Sequence, residues 1–175
     1  MRNGQVFSAD LVIAMVIFIM ILLISVWADD YVKEKRKLDE KVRDLEILSE
    51  NALSVLVSTP GHPAGWSSEP DSIGITDHYV QGVSHGSYCI LNRSKIGWMR
   101  MNYALSKDMM GIRGPAYEYH LLIYSWNSTD YSPEYSIGKE PTDTAEFVIR
   151  KDRMALLDGD WTRLVLKVWQ NCTRC

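Results

Sequence analysis

One segment near the amino terminus limits the possible folds of this chain more than any other. Residues 11–27 are strongly apolar and contain no charged residue. About 17 apolar residues is the lower limit for a helix that crosses a hydrocarbon core of about 30 Å. A buried core helix would need a protein that surrounds it on all sides, and the remaining chain is too small for that. We therefore expect one membrane-spanning helix at residues 11–27, in contact with membrane lipid.

The residues that follow predict that this helix continues beyond the membrane. After Gly4, no Pro or Gly occurs before Pro60. We assign residues 5–58 to the N-terminal helix and expect its regular turns to start near Ala9, with Ser8 as a candidate N-cap. Its outer half carries apolar residues spaced by three, four or seven, as on one helical face: Tyr31, Leu38, Val42, Leu45, Leu48, Ala52 and Leu56. This stripe predicts packing against the rest of the chain, although a dimeric coiled coil would show the same pattern.

Turn-forming residues from Thr59 to Pro70 separate this helix from a head at residues 59–175. Residues 87–91 predict a short strand. Asn92 is then a candidate cap for one helix over residues 93–110.

The second half of the head predicts an antiparallel sheet. Residues 117–126 are rich in aromatic residues and predict a strand, followed by a long loop through Pro141. Asp158-Gly159 joins two β-rich runs and predicts a hairpin, because both positions tolerate positive φ. We expect an α+β fold in which the outer half of the long helix packs on a small antiparallel sheet with one solvated face.

Charge and motifs give no support for nucleic-acid binding or catalysis. The net charge is −3 and no long basic tract occurs, whereas phosphate neutralisation needs a positive surface. The sequence contains no Gly-rich phosphate loop, no HExxH and no GxSxG. His120 lies within an apolar strand, which indicates a structural role. We expect no enzyme, no cofactor and no nucleic-acid partner.

Three cysteines occur, and two of them form a Cys-x-x-Cys motif at Cys172 and Cys175. A thioredoxin-like site would place this motif at the start of a helix, and no chain remains for one. A structural zinc site has four protein ligands, and the spacing of His78, His85 and Cys89 matches no familiar zinc site. We favour a disulfide from Cys89 to Cys172 or Cys175 over a metal site.

The side of the membrane on which the head lies is indicated by two conflicting signals. Residues 33–37 carry a cluster of Lys and Arg, which favours the inside. Three glycosylation sequons, at Asn92, Asn127 and Asn171, all follow the span and favour the outside. Asn92 would also serve as a helix cap and Asn127 as a turn residue. We expect a single-pass protein with its C-terminal head outside the cell.

The amino-terminal segment Asn-Gly-Gln-Val-Phe-Ser-Ala-Asp, residues 3–10, precedes the apolar run. It resembles the class III signal of archaeal type IV pilin-like proteins. A weaker likeness to the heads of such proteins extends over residues 59–66, 91–96 and 167–169.

This resemblance implies a fold, a processing step and a mode of assembly. Residues 1–4 would be a leader, and a prepilin peptidase would cut between Gly4 and Gln5. Asp10 would pair with the terminal amine of a neighbouring pilin-like subunit, although the usual carboxylate is a Glu one position earlier. The chain would be a minor pilin or pseudopilin-like subunit in a surface filament. The alternative is a single-pass surface protein that never polymerises and whose head binds a ligand or an envelope component.

Overall fold

The computed structural model describes residues 3–63, 65–66, 68–77, 89–126 and 132–171, with backbone only for residues 3–9. The fold is α+β, as predicted, with a long N-terminal helix and a curled mixed sheet. Its elements are α1 (Asn3–Ser58), β1 (Ile90–Leu91), α2 (Arg93–Met101), α3 (Tyr103–Met109), β2 (Tyr117–Ser125), β3 (Tyr135–Gly138), β4 (Ala145–Leu157) and β5 (Asp160–Asn171). Contacts divide the chain into two compact units, 1–41 and 42–175.

Helix α1 ends at Ser58, as the run without helix breakers predicts, but it begins earlier than expected. Because it starts at Asn3, Ser8 lies inside the helix and is not its N-cap. No acidic residue occupies the first turn, so Asp10 is too far along the helix for a strong interaction with the N-terminal dipole. The intervening residues include no proline, so the helix extends back toward the amino terminus.

The apolar stripe of α1 packs into the core of the second unit over residues 42–58. Leu45, Ala52 and Leu56 are at most 2% exposed and belong to the same hydrophobic cluster as Leu121 and Leu166 of the sheet. This confirms the predicted packing for that part of the stripe. The same face is therefore not available as a coiled-coil seam there.

An ion-pair cluster also joins α1 to the sheet. Glu50 accepts a hydrogen bond from Arg153 and lies 3.8 Å from the Lys151 ammonium. In the other unit, the stripe residues Tyr31 and Leu38 are exposed.

The sheet has the strand order β1-β4-β5-β2-β3. The pairs β4–β5, β5–β2 and β2–β3 are antiparallel, whereas β1 runs parallel to β4. The expectation of a purely antiparallel sheet is therefore wrong at one edge. Parallel strands need a long crossover connection, and the chain between β1 and β4 includes α2, α3 and two strands. No local sequence pattern predicts a pairing between segments so far apart.

The hairpin predicted at Asp158-Gly159 is confirmed. Both residues have positive φ, 54° and 92°, and Leu157 pairs with Asp160 across the turn. Mirror-image turns of this kind match the twist of the two strands that they join.

Two local predictions in the head are corrected. The helix expected over residues 93–110 breaks at Asn102, whose backbone N–H and side-chain amide both donate to the Trp98 carbonyl. A short polar side chain that bonds nearby backbone competes with helix continuation. The long loop expected before Pro141 contains β3, only four residues long, which pairs with β2.

The sheet also buries more of its second face than expected. Leu164, Leu166 and Val168 face the core, as predicted, but Val165 and Trp169 on the opposite face are each 1% exposed. The expectation of one solvated face is therefore wrong for β5. β5 is a central strand of a curled sheet, so other parts of the head shield its second face from solvent. The alternation of apolar and polar residues within β5 alone cannot predict this shielding.

Candidate functional site

Helix α1 presents a continuous apolar surface over residues 11–27. Every large apolar side chain in this run is at least 45% exposed. By length and composition the helix is suited to cross a membrane. At the end of the run, the rings of Trp27 and Tyr31 stack with centroids 6.1 Å apart, a pairing suited to a membrane interface. Exposed apolar surfaces of this size are typical of membrane or protein interaction sites.

Asp10 immediately precedes this apolar surface. Its side chain is exposed, so a carboxylate stands at the edge of the uncharged run. The bond between Gly4 and Gln5 lies in the first turn of α1, where the structure describes only the backbone. Cleavage there and the assembly role of Asp10 both remain predictions from the resemblance.

A buried lysine joins two of the segments that carry the resemblance. Lys95 in α2 is 2% exposed, and its ammonium donates to the carbonyls of Pro60, at 2.6 Å, and Thr76, at 2.9 Å. It also lies 5.4 Å from the ring centre of Trp66, whose indole N–H donates to the same Pro60 carbonyl. Burial lowers the pKa of Lys95, and the charge of Asp77 opposes that effect. The residues after α1 are thereby tied to α2.

A buried carboxylate forms a second polar centre where α3 meets the sheet. Glu118 is 7% exposed and accepts hydrogen bonds from Tyr103 and from Lys139, the latter at 2.8 Å. The Lys107 ammonium lies 3.6 Å away. Burial raises the pKa of Glu118, but the two hydrogen bonds and the charges of Lys107 and Lys139 outweigh it and hold the pKa below its ordinary value.

This arrangement predicts an acid-sensitive contribution to stability. Because the pKa of Glu118 is lower in the folded chain, its contribution is complete above the unfolded value of about 4.3. It is lost as the pH falls through the lower folded value. We expect Glu118→Gln to flatten the dependence of unfolding free energy on pH in the acidic range, measured by urea titration of the full chain. Equal pH profiles for the two proteins would contradict this expectation.

His120 is buried, as its place in an apolar strand indicated. It is 2% exposed, and its Nε2 lies 2.8 Å from the Ser136 hydroxyl. Burial lowers the pKa of His120; Lys167 acts in the same direction, and Glu140 opposes both. Within the described part of the chain Nδ1 has no hydrogen-bond partner. Among the residues that the structure describes, no carboxylate bonds to Nδ1, the position that the third group of a catalytic triad occupies.

Two of the three predicted glycosylation sites have structural roles. The side-chain oxygen of Asn92 accepts from the backbone N–H groups of Ser94 and Lys95, which confirms that it caps α2. Asn171 accepts a hydrogen bond from the indole of Trp169 at 3.0 Å. Asn127 lies outside the described residues. Glycosylation at all three positions remains a prediction.

The cysteines are only partly described. Cys89 is half-buried and its carbonyl accepts from the N–H of Leu156, at one end of β4, whereas Ala145 at the other end pairs with Asn171. Leu156 and Ala145 are roughly 35 Å apart at the usual rise of a strand. Bridged Cα atoms are typically within about 7 Å.

Cys89 and Asn171 therefore lie beside opposite ends of β4. Cys172 and Cys175 lie outside the described residues, so the pairing stays a prediction. Burial raises the pKa of the Cys89 thiol and outweighs the opposing charge of Arg153. A raised pKa favours the protonated, less reactive thiol.

Among the residues that the structure describes, no group of three or more His, Cys, Asp or Glu is placed to hold a metal ion. The candidate ligands His78 and His85 lie outside the described residues.

No protein-family model, curated protein or solved structure matches this chain. The likeness to archaeal pilin-like proteins therefore rests on the residues quoted above. Sequence reasoning identified the apolar helix and Asp10 but missed Lys95 and Glu118. Neither has a local signal, because each is surrounded by groups from distant parts of the chain.

Proposed function

We propose that this chain is an archaeal type IV pilin-like structural subunit, a minor pilin or a pseudopilin-like component. Residues 11–27 would hold it in the cell membrane, with the head outside and the subunit incorporated into a surface filament. The observation that carries the proposal is the continuity of α1. This 56-residue helix leaves its apolar run exposed and buries its last turns in the core of the head.

The exposed run would act as the assembly element by exchanging one apolar environment for another. In the membrane its side chains contact lipid, and in a filament they would contact the helices of other pilin-like subunits. Helix association in such surroundings depends on packing and polar pairing more than on the hydrophobic effect. A carboxylate at Asp10 would supply directional pairing with the terminal amine of a neighbour.

The processing step tests the proposal directly. The full chain is co-expressed with an archaeal prepilin peptidase and the amino terminus of the product is sequenced. We expect a new terminus at Gln5. Replacement of Gly4 by leucine should abolish cleavage, because a bulky side chain would occupy the place of a residue without Cβ. An uncleaved wild-type chain would overturn the pilin interpretation.

The alternative is a non-polymerising single-pass surface protein whose head binds a ligand or an envelope component. Two features favour this alternative. Asp10 is the sixth residue when Gln5 is counted as the first, whereas the pilin signal has its acidic residue at the fifth position. Arg2 is also the only basic residue of the leader. Such a protein would keep its leader. It would be recovered as a membrane-embedded chain with its original amino terminus.

A further inference from the structure

A second apolar surface lies on the sheet, far along the chain from the apolar helix. Trp126, Met154 and Trp161 are 69%, 44% and 42% exposed and line an open cleft of about 380 Å³. We call these three residues the tryptophan patch. Its volume falls within the range of small-ligand sites, about 300–1,000 Å³.

Strand pairing places the three side chains together. In the β4–β5 ladder, Met154 pairs with Arg163 and Leu156 with Trp161, so Met154 and Trp161 share one face of the sheet. Trp126 follows β2, and its backbone N–H donates to the Trp161 carbonyl at 2.9 Å. The patch is therefore mounted on paired strands, which hold its rings in place before a ligand binds.

The charged groups beside the patch are engaged in ion pairs, in which two guanidinium groups share one carboxylate. Asp152 accepts hydrogen bonds from Arg163, at 3.1 Å from its Nε, and from Arg150, at 3.0 Å from its Nε. A charged ligand would have to compete with these ion pairs. An uncharged ligand would not, and its hydroxyl groups would meet guanidinium and carboxylate groups at the edge of an aromatic surface.

The size of the patch also distinguishes between ligands. The exposed parts of three such side chains amount to roughly 350 Å². A stable protein–protein interface buries about 800 Å² on each partner, so a second copy of the chain is a poor fit. A short run of sugar rings is a better match to the area of two indoles.

Sugar rings also match the chemistry of exposed indoles. The face of an aromatic ring is electron-rich and attracts C–H groups that carry partial positive charge. Pyranoses with equatorial hydroxyls carry axial C–H groups on both faces and so present apolar planes, with their hydroxyls directed outward to the rim. Sugars with axial hydroxyls lack one of these planes.

We propose that the tryptophan patch binds neutral β-linked oligosaccharides whose pyranose hydroxyls are equatorial. Trp126 and Trp161 stack on the sugar faces, Met154 fills the space between them, and the Arg163–Asp152 pair bonds to hydroxyl groups. This site is separate from the helix that serves assembly. It would operate whether or not the chain polymerises.

The test uses the full chain in phosphatidylcholine nanodiscs, because common detergents with sugar headgroups would occupy the site. Cellohexaose and chitohexaose are titrated at millimolar concentration and followed by calorimetry and tryptophan fluorescence. We expect saturable binding that weakens by about tenfold in Trp126→Ala and in Trp161→Ala. Met101→Ala removes an exposed apolar side chain outside the patch, and this control should bind like the wild type.

Trp126 lies beyond the end of β2, so its replacement should leave the fold intact even if Trp161→Ala is unstable. Absence of saturable binding to both sugars would overturn the proposal, as would equal binding by wild type and Trp126→Ala. The proposal would also be overturned if Trp126→Ala left sugar binding unaltered but changed either the sedimentation of the chain with phosphatidylcholine vesicles or its oligomeric state. Those results would assign the patch to lipid or to a second copy.

Discussion

Asp10→Ala is expected to abolish incorporation into filaments while leaving the chain inserted in the membrane. If the Asp10 carboxylate pairs with the terminal amine of a neighbouring subunit, removal of one partner leaves a buried, unpaired charge. Breaking a buried pair in this way costs about 3–5 kcal/mol. At about 1.4 kcal/mol per factor of ten, incorporation should fall by roughly 100- to 4,000-fold. The fraction of the chain in sheared filaments and in membranes, each quantified by immunoblot, measures both outcomes.

Substitutions matched in size separate charge from shape at this position. Asp10→Asn keeps the volume and loses the charge, so it should fail to assemble like the alanine variant. Asp30→Ala removes another exposed acidic residue of α1, beyond the apolar run, and should assemble normally. Normal incorporation of Asp10→Ala would show that the carboxylate has no pairing role.

Lys95→Met is expected to destabilise the head by roughly 2 kcal/mol. Methionine keeps most of the apolar stem but removes the ammonium that donates to the carbonyls of Pro60 and Thr76, of which Pro60 keeps the Trp66 indole as a donor. Methionine also removes the cost of burying the Lys95 charge, which offsets part of this loss. The expected cost is therefore less than the desolvation penalty of two buried carbonyls without partners. Urea unfolding of the full chain, followed by tryptophan fluorescence, measures the change.

Lys37→Met serves as the matched control because Lys37 lies on the exposed part of α1. The same chemical change at that position should alter stability by less than 0.5 kcal/mol or so. If Lys95→Met were as stable as the wild type, the hydrogen bonds from Lys95 to the two carbonyls would make no net contribution to holding residues 59–77 against α2.

Only some of the candidate functional surfaces could be predicted from the sequence. The apolar run was located from composition, and Asp10 was located from the resemblance of residues 3–10 to pilin-like signals. The tryptophan patch combines a residue after β2 with residues of β4 and β5, and only the strand register brings these together. Lys95 and Glu118 illustrate the same limit, because their burial depends on partners far away in the chain.

Local patterns in the sequence determined the extent of α1 to Ser58, the cap at Asn92 and the hairpin at Asp158-Gly159. Each depends on neighbouring residues: the absence of helix breakers, a side chain that reaches the next turn, and two residues that tolerate positive φ.

Tertiary structure alone decided the parallel pairing of β1 with β4, the pairing of the short strand β3, and the burial of Val165 and Trp169. The physical reason is the range of the interactions involved. A helix or a tight turn closes its hydrogen bonds within a few residues. A sheet closes them between segments whose meeting depends on the packing of the whole head.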